Sequence, residues 1–337
     1  MATRTPSPSL FGAPEFRLLI IAVFVFGLMS VLSPDRFLTA QNLTSMAFQF
    51  PEFAILALAI TISMMTGGID LSVVGVANLS AVIAALILTQ VADPAMGAGQ
   101  ANLWLAVAIA VSLCIGALAG LANGCLVAFF GLPPILATLG SGLVFTGFAV
   151  AMTGGSAVMG FPTNVAVIGN AQVLGIPVPL IIFILLAIAL HIVLTRTAFG
   201  LRVTMFGANP LAALYAAVDI NRMILKVYVT AGVFASIAGL IVMSRANSAK
   251  ADYGSSYLLL AVLIAVLGGV NPYGGYGRVV GVVLAVLSMQ FLSSGLNMMG
   301  VSNFARELIW GALLLLVMVI NTNAMSALRR SFAGSRK

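Results

Sequence analysis

The chain has 337 residues, 61% of them hydrophobic and 7% charged, with a formal net charge of +7. Soluble domains carry roughly 25% charged residues, so a mean hydropathy of +1.16 excludes a soluble protein and indicates an integral membrane one. Apolar runs of about 20 residues point to membrane-spanning helices, because barrel strands would alternate polar and apolar positions over roughly 10 residues.

Residues 1–17 are rich in Pro and Ser and read as a disordered cytoplasmic N-terminus. The apolar run that follows has no small-x-small cleavage site behind it, only Ser33-Pro34-Asp35-Arg36, and reads as a retained first span. The second span, 45–65, contains Gln49, Pro51 and Glu52. A central carboxylate costs about 3 kcal/mol and each Leu, Ile or Phe returns roughly 0.3 to 0.6. Glu52 is therefore expected near the outer interface or facing the bundle interior. Gly67-Gly68 breaks the helix, and Asp70 or Ser72 is expected to cap the next one, 71–90.

The fourth span, 103–130, starts at the interfacial anchor Trp104 and carries Gly116, Gly120 and Gly124 at every fourth position. Such a stripe allows close helix contact. Cys114 and Cys125 lie in this span about 16 Å apart, too far for a disulfide. They read as small buried hydrophobes. A fifth span runs to 152, and 153–177 form an outer loop. The sixth span, 178–195, holds the only histidine, His191, read as a structural residue near the inner interface.

No Lys or Arg occurs from Phe37 to Thr195, and then 196–226 supplies Arg196, Arg202, Arg222 and Lys226 against the single acid Asp219. This central loop is a handle facing the cytoplasm. A seventh span, 223–244, an outer segment and an eighth span, 258–270, follow. Gly268-Gly269 and the NPYGGYGR stretch form a second break before the ninth span, 279–296, and the tenth, 307–321. The paired breaks Gly67-Gly68 and Gly268-Gly269 are the pattern left by a duplicated half around a central pathway. Residues 323–337 are a basic cytoplasmic tail. With ten spans and both ends inside, inner segments hold 11 Lys and Arg and outer segments 4, the expected asymmetry. The basic residues flank spans and form no groove, which excludes a nucleic-acid binder.

No Gly-Lys-Ser or Gly-Lys-Thr occurs, so this chain holds no Walker A site. GGYGRVVG lacks the spacing of a dinucleotide fingerprint, and one His with two distant Cys builds no zinc site. No nucleophile has a nearby base. An enzyme is excluded on these grounds. An ion-driven carrier needs intramembrane titratable groups, and only Glu52 and Asp70 are candidates. Asn78, Asn123, Thr138 and Gln290 are the candidate pathway lining, suited to a neutral polar solute. Each serves equally well as an interhelical hydrogen-bond partner.

GGIDLSVVGVANLSAVIAA at 67–85, FGANPLAALYAAVDINR at 206–222 and AVLGGVNPYGGYGRVVG at 265–281 come in an order that resembles the permease subunits of bacterial sugar ABC importers, the ribose, xylose, arabinose and galactose-type permeases. The strings ALYAAVDINR and VNPYGGYGRVVG look nearest to the autoinducer-2 branch of that family. The resemblance covers 18–322, taken as one permease domain. Ala208 and Ala217 stand where family members often have Gly, and Leu214 where they often have Arg.

The resemblance implies an all-α polytopic protein of about ten spans, with the type II architecture of vitamin-B12 importers, in the bacterial inner membrane. It implies partners: a second permease subunit, like or different, a periplasmic solute-binding protein, and a cytoplasmic ABC ATPase that alone holds ATP and magnesium. It also implies that residues 196–222 couple to that ATPase, with Arg202, Gly207, Asn209, Pro210, Ala212, Ala213 and Asp219 as the contact set. The cargo it implies is a neutral sugar or sugar-like solute, the furanosyl autoinducer included.

Overall fold

The computed structural model describes residues 14–91 and 97–334. Residues 1–13, 92–96 and 335–337, which include parts of the expected N-terminus and basic tail, lie outside the described residues. In chain order the helices are α1 (Pro14–Leu32), the short α2 (Pro34–Phe37), α3 (Ala40–Met64), α4 (Val73–Leu86, continued by a π-turn over Ile87–Val91), α5 (Ala98–Ala128) and α6 (Pro134–Thr153). Then come α7 (Ala166–Asn170), α8 (Val178–Arg196), α9 (Ala198–Ala208), α10 (Pro210–Tyr215), α11 (Ile220–Ala246), α12 (Tyr257–Leu267), α13 (Val279–Met298) and α14 (Asn303–Gly334). The all-helical expectation needs one amendment. Four two-residue strands form two small ladders, and one of them pairs Val158–Met159 with Ser248–Ala249.

Eight described helices are long and apolar enough to cross a membrane, where ten spans are expected. The remaining two expected spans fall on α12 and α14. At 11 residues, α12 is about 16 Å long, roughly half of a bilayer core. It ends because the chain turns at Gly268 and Gly269, the latter at φ +83. A Cβ on Gly281 would lie 2.1 Å from the Gly268 carbonyl oxygen, so the end of α12 rests directly on the start of α13.

Helices α3, α4 and α11 form the centre, with 78%, 72% and 72% of their span residues buried. For α5, α6 and α8 the figures are 28%, 22% and 22%, which puts these helices in an outer ring. Backbone proximity assembles the layers. On α5, a Cβ at Gly116 or Gly120 would lie 2.4 and 2.2 Å from the carbonyl oxygens of Gly232 and Tyr228 on α11. On the other flank of α11, a Cβ at Gly239 would lie 2.1 Å from the Ala77 carbonyl oxygen on α4. The glycine stripe is thus a packing device. Cys125 is half-buried in α5, whereas Cys114 is exposed rather than buried, because it faces away from this seam.

The alternation of helices sorts the connections into two ends. One end gathers 65–72, 129–133, 196–220 and 268–278, and is called the loop end below. The other gathers 33–39, 154–177, 247–256 and 299–302.

Candidate functional site

The central loop is a pair of helices built from local caps. Thr197 Oγ1 accepts from the Gly200 amide and starts α9. Asn209 stops α9 and caps α10, its Oδ1 accepting from the Ala212 amide at 3.1 Å. Pro210 follows at the first helical position, where its missing N–H costs nothing. Asp219 caps α11 through the Arg222 amide at 3.1 Å and pairs with the Arg222 guanidinium at 2.9 Å. Between α10 and α11, Ala217 adopts φ +55, a left-handed conformation that glycine takes without strain.

Val203 and Ala213 are fully buried and anchor the pair. Arg202, Ala212 and Asp219 are exposed. Helix α10 also exposes Leu211, Leu214 and Tyr215, the last at 88%. An exposed apolar face of this kind invites a partner.

Gly207, in the last turn of α9, sits where three segments converge. A Cβ there would lie 2.0 Å from the Met65 carbonyl oxygen and 2.4 Å from the Gly275 amide nitrogen. The Gly275 amide donates to that same Met65 carbonyl at 3.0 Å. A Cβ on Gly274 would lie 2.6 Å from the Gly67 nitrogen and 3.0 Å from Gly207 Cα. The central loop, the first break and the second break therefore meet backbone to backbone. Of the residues singled out in the sequence, Gly67 and Gly207 come together here. Gly268 and Gly269 do not, and the second break contributes Gly274 and Gly275 instead.

Gly68 closes the first break against α6 and α11. Its Cβ would meet Pro134 at 2.7 Å and the Tyr228 hydroxyl at 3.2 Å. Asp70 is buried, and its Oδ1 accepts from the Ser72 amide at 2.9 Å and the Ser72 hydroxyl at 2.6 Å. It thereby holds the break and does not cap α4. Ser72, the residue at the cap position, makes no side-chain capping bond either. Burial pushes the Asp70 carboxyl above its ordinary range, against these two hydrogen bonds.

Asn123 Nδ2 donates to Ser72 Oγ at 2.7 Å, and Thr138 Oγ1 accepts from the Leu71 amide at 3.0 Å. Asn78 Nδ2 donates to the carbonyls of Ala251 and Tyr253, both at 2.9 Å. Three of the four candidate pathway residues thus bond protein groups.

The fourth, Gln290, borders a cavity at the opposite end of the bundle, of about 230 Å³. A second cavity of about 490 Å³ adjoins it, sharing Gln49, Ser293 and Arg306 in its wall. Thr39 and Asn297 lie at its outer edge. Glu52 turns to the interior, where it pairs with Arg245 of α11 and accepts from the Tyr257 hydroxyl at 3.2 Å. That interior placement is one of the two foreseen for it. Arg306 and Trp310 of α14 escaped sequence reasoning, because an Arg and a Trp four residues apart at a span entrance look like topology and anchoring signals. No group of three or more His, Cys, Asp or Glu suited to a metal occurs among the described residues.

Residues 42–318 match the family described as "Branched-chain amino acid transport system / permease component". The chain is 34% identical over 308 residues to the autoinducer 2 import system permease protein LsrD of Yersinia pseudotuberculosis, covering 90% of this chain and 88% of that one. It is 33% identical to the LsrD of Escherichia coli K12, covering 90% and 89%. No solved structure matches the chain.

Proposed function

This chain belongs to that family of transport permease components, and we propose that it is the membrane subunit of an ATP-driven importer for a neutral sugar or sugar-like solute. A multi-pass inner-membrane protein of a binding-protein-dependent importer is not itself an enzyme. The finer reading is as follows. The loop end faces the cytoplasm, both termini lie there, and the fold follows the type II plan with about ten spans. A second permease subunit, like or different, completes the pathway, and a periplasmic binding protein delivers solute to the cavity end. The partner ATPase binds ATP and magnesium and grips α9 and α10, its contact set including Arg202, Asn209, Pro210, Ala212 and Asp219 beside the exposed Leu211, Leu214 and Tyr215. The relatives named autoinducer 2 import permeases make that signal as good a cargo as a metabolic sugar.

The observation that carries this reading is the seat of Gly207 on both breaks. Movement imposed on the loop reaches 65–72 and 271–278 with no flexible side chain in between. Inserting two alanines after Asn209 displaces α10 and leaves the spans intact. We expect ATP-dependent uptake to vanish in cells that retain the chain in the membrane. Full uptake with the insertion would remove the coupling role. Uptake in vesicles lacking the ATPase, abolished by collapsing the ion gradient, would favour a stand-alone carrier.

A further inference from the structure

The geometry points to a solute-binding site within the permease chain itself, taking a neutral polyhydroxylated compound between α3, α13 and α14. The inference rests on the importer reading for the identity of the cargo class, but the site has its own evidence. Of the two adjoining cavities, the larger, about 490 Å³, lies in the range of roughly 300 to 1,000 Å³ typical of small-molecule sites, and the smaller, about 230 Å³, extends it past Gln49, Ser293 and Arg306 to Gln290 and Trp310. Gln49 is nine residues into α3 and Gln290 eight from the end of α13. The polar lining therefore reaches about 12 Å along the helices. Polar side chains that face the interior of a membrane bundle mark solute pathways.

Two side chains of the wall carry an N–H group with no hydrogen-bond partner. Trp310 Nε1 and Arg306 Nε are buried without a hydrogen-bond partner, and Trp310 is only 9% exposed. Buried N–H groups require acceptors, and a side-chain rotation that bares these two to the cavity would let hydroxyl oxygens of a solute supply them. The Gln290 amide, 3% exposed and facing the same space, adds a donor and an acceptor in one plane. The indole offers an apolar face for the C–H side of a sugar ring, leaving its polar tip on the ring substituents.

Charge selects the class. The two cavities are lined by Arg36, Arg245 and Arg306 against Asp35 and Glu307. Glu52 neutralises Arg245 from behind, so cations and acids balance at three each. The lining therefore carries no net charge that would favour an anionic sugar phosphate. The wall is also too polar for the side chain of a branched amino acid, with Phe53, Leu260 and Met298 its main aliphatic or phenyl contributions.

The chain has two tryptophans, so Trp104→Phe leaves Trp310 as the only one. We would titrate that purified variant in lipid nanodiscs with D-ribose, ribitol, ribose 5-phosphate and L-leucine, reading tryptophan emission. The site predicts a saturable change with ribose or ribitol and none with the phosphate or leucine. Gln290→Ala is expected to weaken half-saturation about tenfold, and Ser293→Ala, which removes only a hydroxyl, severalfold. No saturable change with either neutral probe overturns the proposal, as does an equal response to the phosphate or to leucine, or an unchanged response in both variants. The titration needs no ATPase. A null titration beside intact ATP-dependent uptake sinks the site alone, whereas lost uptake dependence on the loop sinks the importer reading.

Discussion

The two ends of the bundle are built by opposite means. At the loop end, Gly207, Gly274 and Gly275 bring three chain segments so close that a single methyl group on any of them would collide with a neighbouring backbone. At the other end, Gln49, Gln290, Arg306 and Trp310 surround open space, and the Glu52–Arg245–Tyr257 cluster ties α3, α11 and α12 together beside it. Close-packed backbone has few alternative arrangements and transmits displacement. Long polar side chains around a void re-orient at little cost. One end is suited to passing on a push, the other to changing shape around a cargo. In the proposed importer those are separate tasks, and the ATPase that would supply the push meets only the first.

Substitutions that invert these properties test the contrast. Gly207→Val would place side-chain atoms inside the Met65 and Gly275 backbone, and is expected to destabilise the loop end by about 3 kcal/mol or more. Membrane-fraction yield and ATP-dependent uptake should both fall more than tenfold. At the cavity end, Glu52→Gln leaves the Arg245 guanidinium without its counter-charge. Breaking such a pair costs about 3 kcal/mol, less wherever Arg245 reaches water. Thermal unfolding in detergent measures the loss, and Glu52→Gln with Arg245→Met should recover most of it. Leu211→Ala with Tyr215→Ala on α10 is expected to leave the fold unchanged and to weaken ATPase attachment by about 2 kcal/mol, read by co-purification at several salt concentrations. The smallest effect is a gain. Ala217→Gly relieves the left-handed strain at φ +55 and should raise stability by roughly 1 kcal/mol, visible as a higher unfolding temperature with transport preserved.

Much of the loop end was legible in the sequence because its signals are local. Asn209-Pro210 is an N-cap followed by proline at the first helical position, and Asp219 before Ile220 is another cap. The abrupt return of arginine at 196 marked the loop itself. The contact beneath the loop was not legible, since Gly207 meets Gly275 across 68 residues of chain and backbone proximity leaves no periodic trace. The pair at 268–269 looked equivalent to the pair at 274–275, and only the fold separates them.

The polar residues were ambiguous for a related reason. Asn78 and Asn123 on an apolar helix look the same whether they line a path or bond a neighbour, and their partners Ala251 and Ser72 lie 173 and 51 residues away. The span expected at 258–270 overran α12, which ends at Leu267, because Gly268 and Gly269 extend an apolar run without extending the helix. The cavity draws on four helices, none of which shows it alone.

The central claim is that a push on the loop end reshapes the cavity end. Spin labels at Thr39 and Asn297, across the cavity mouth, would report it in the complete importer by pulsed electron paramagnetic resonance. The account predicts a label separation that changes between the nucleotide-free and ATP-vanadate states, and that no longer changes when two alanines follow Asn209. A nucleotide-driven change that survives the insertion, or none in the unaltered loop, would contradict it.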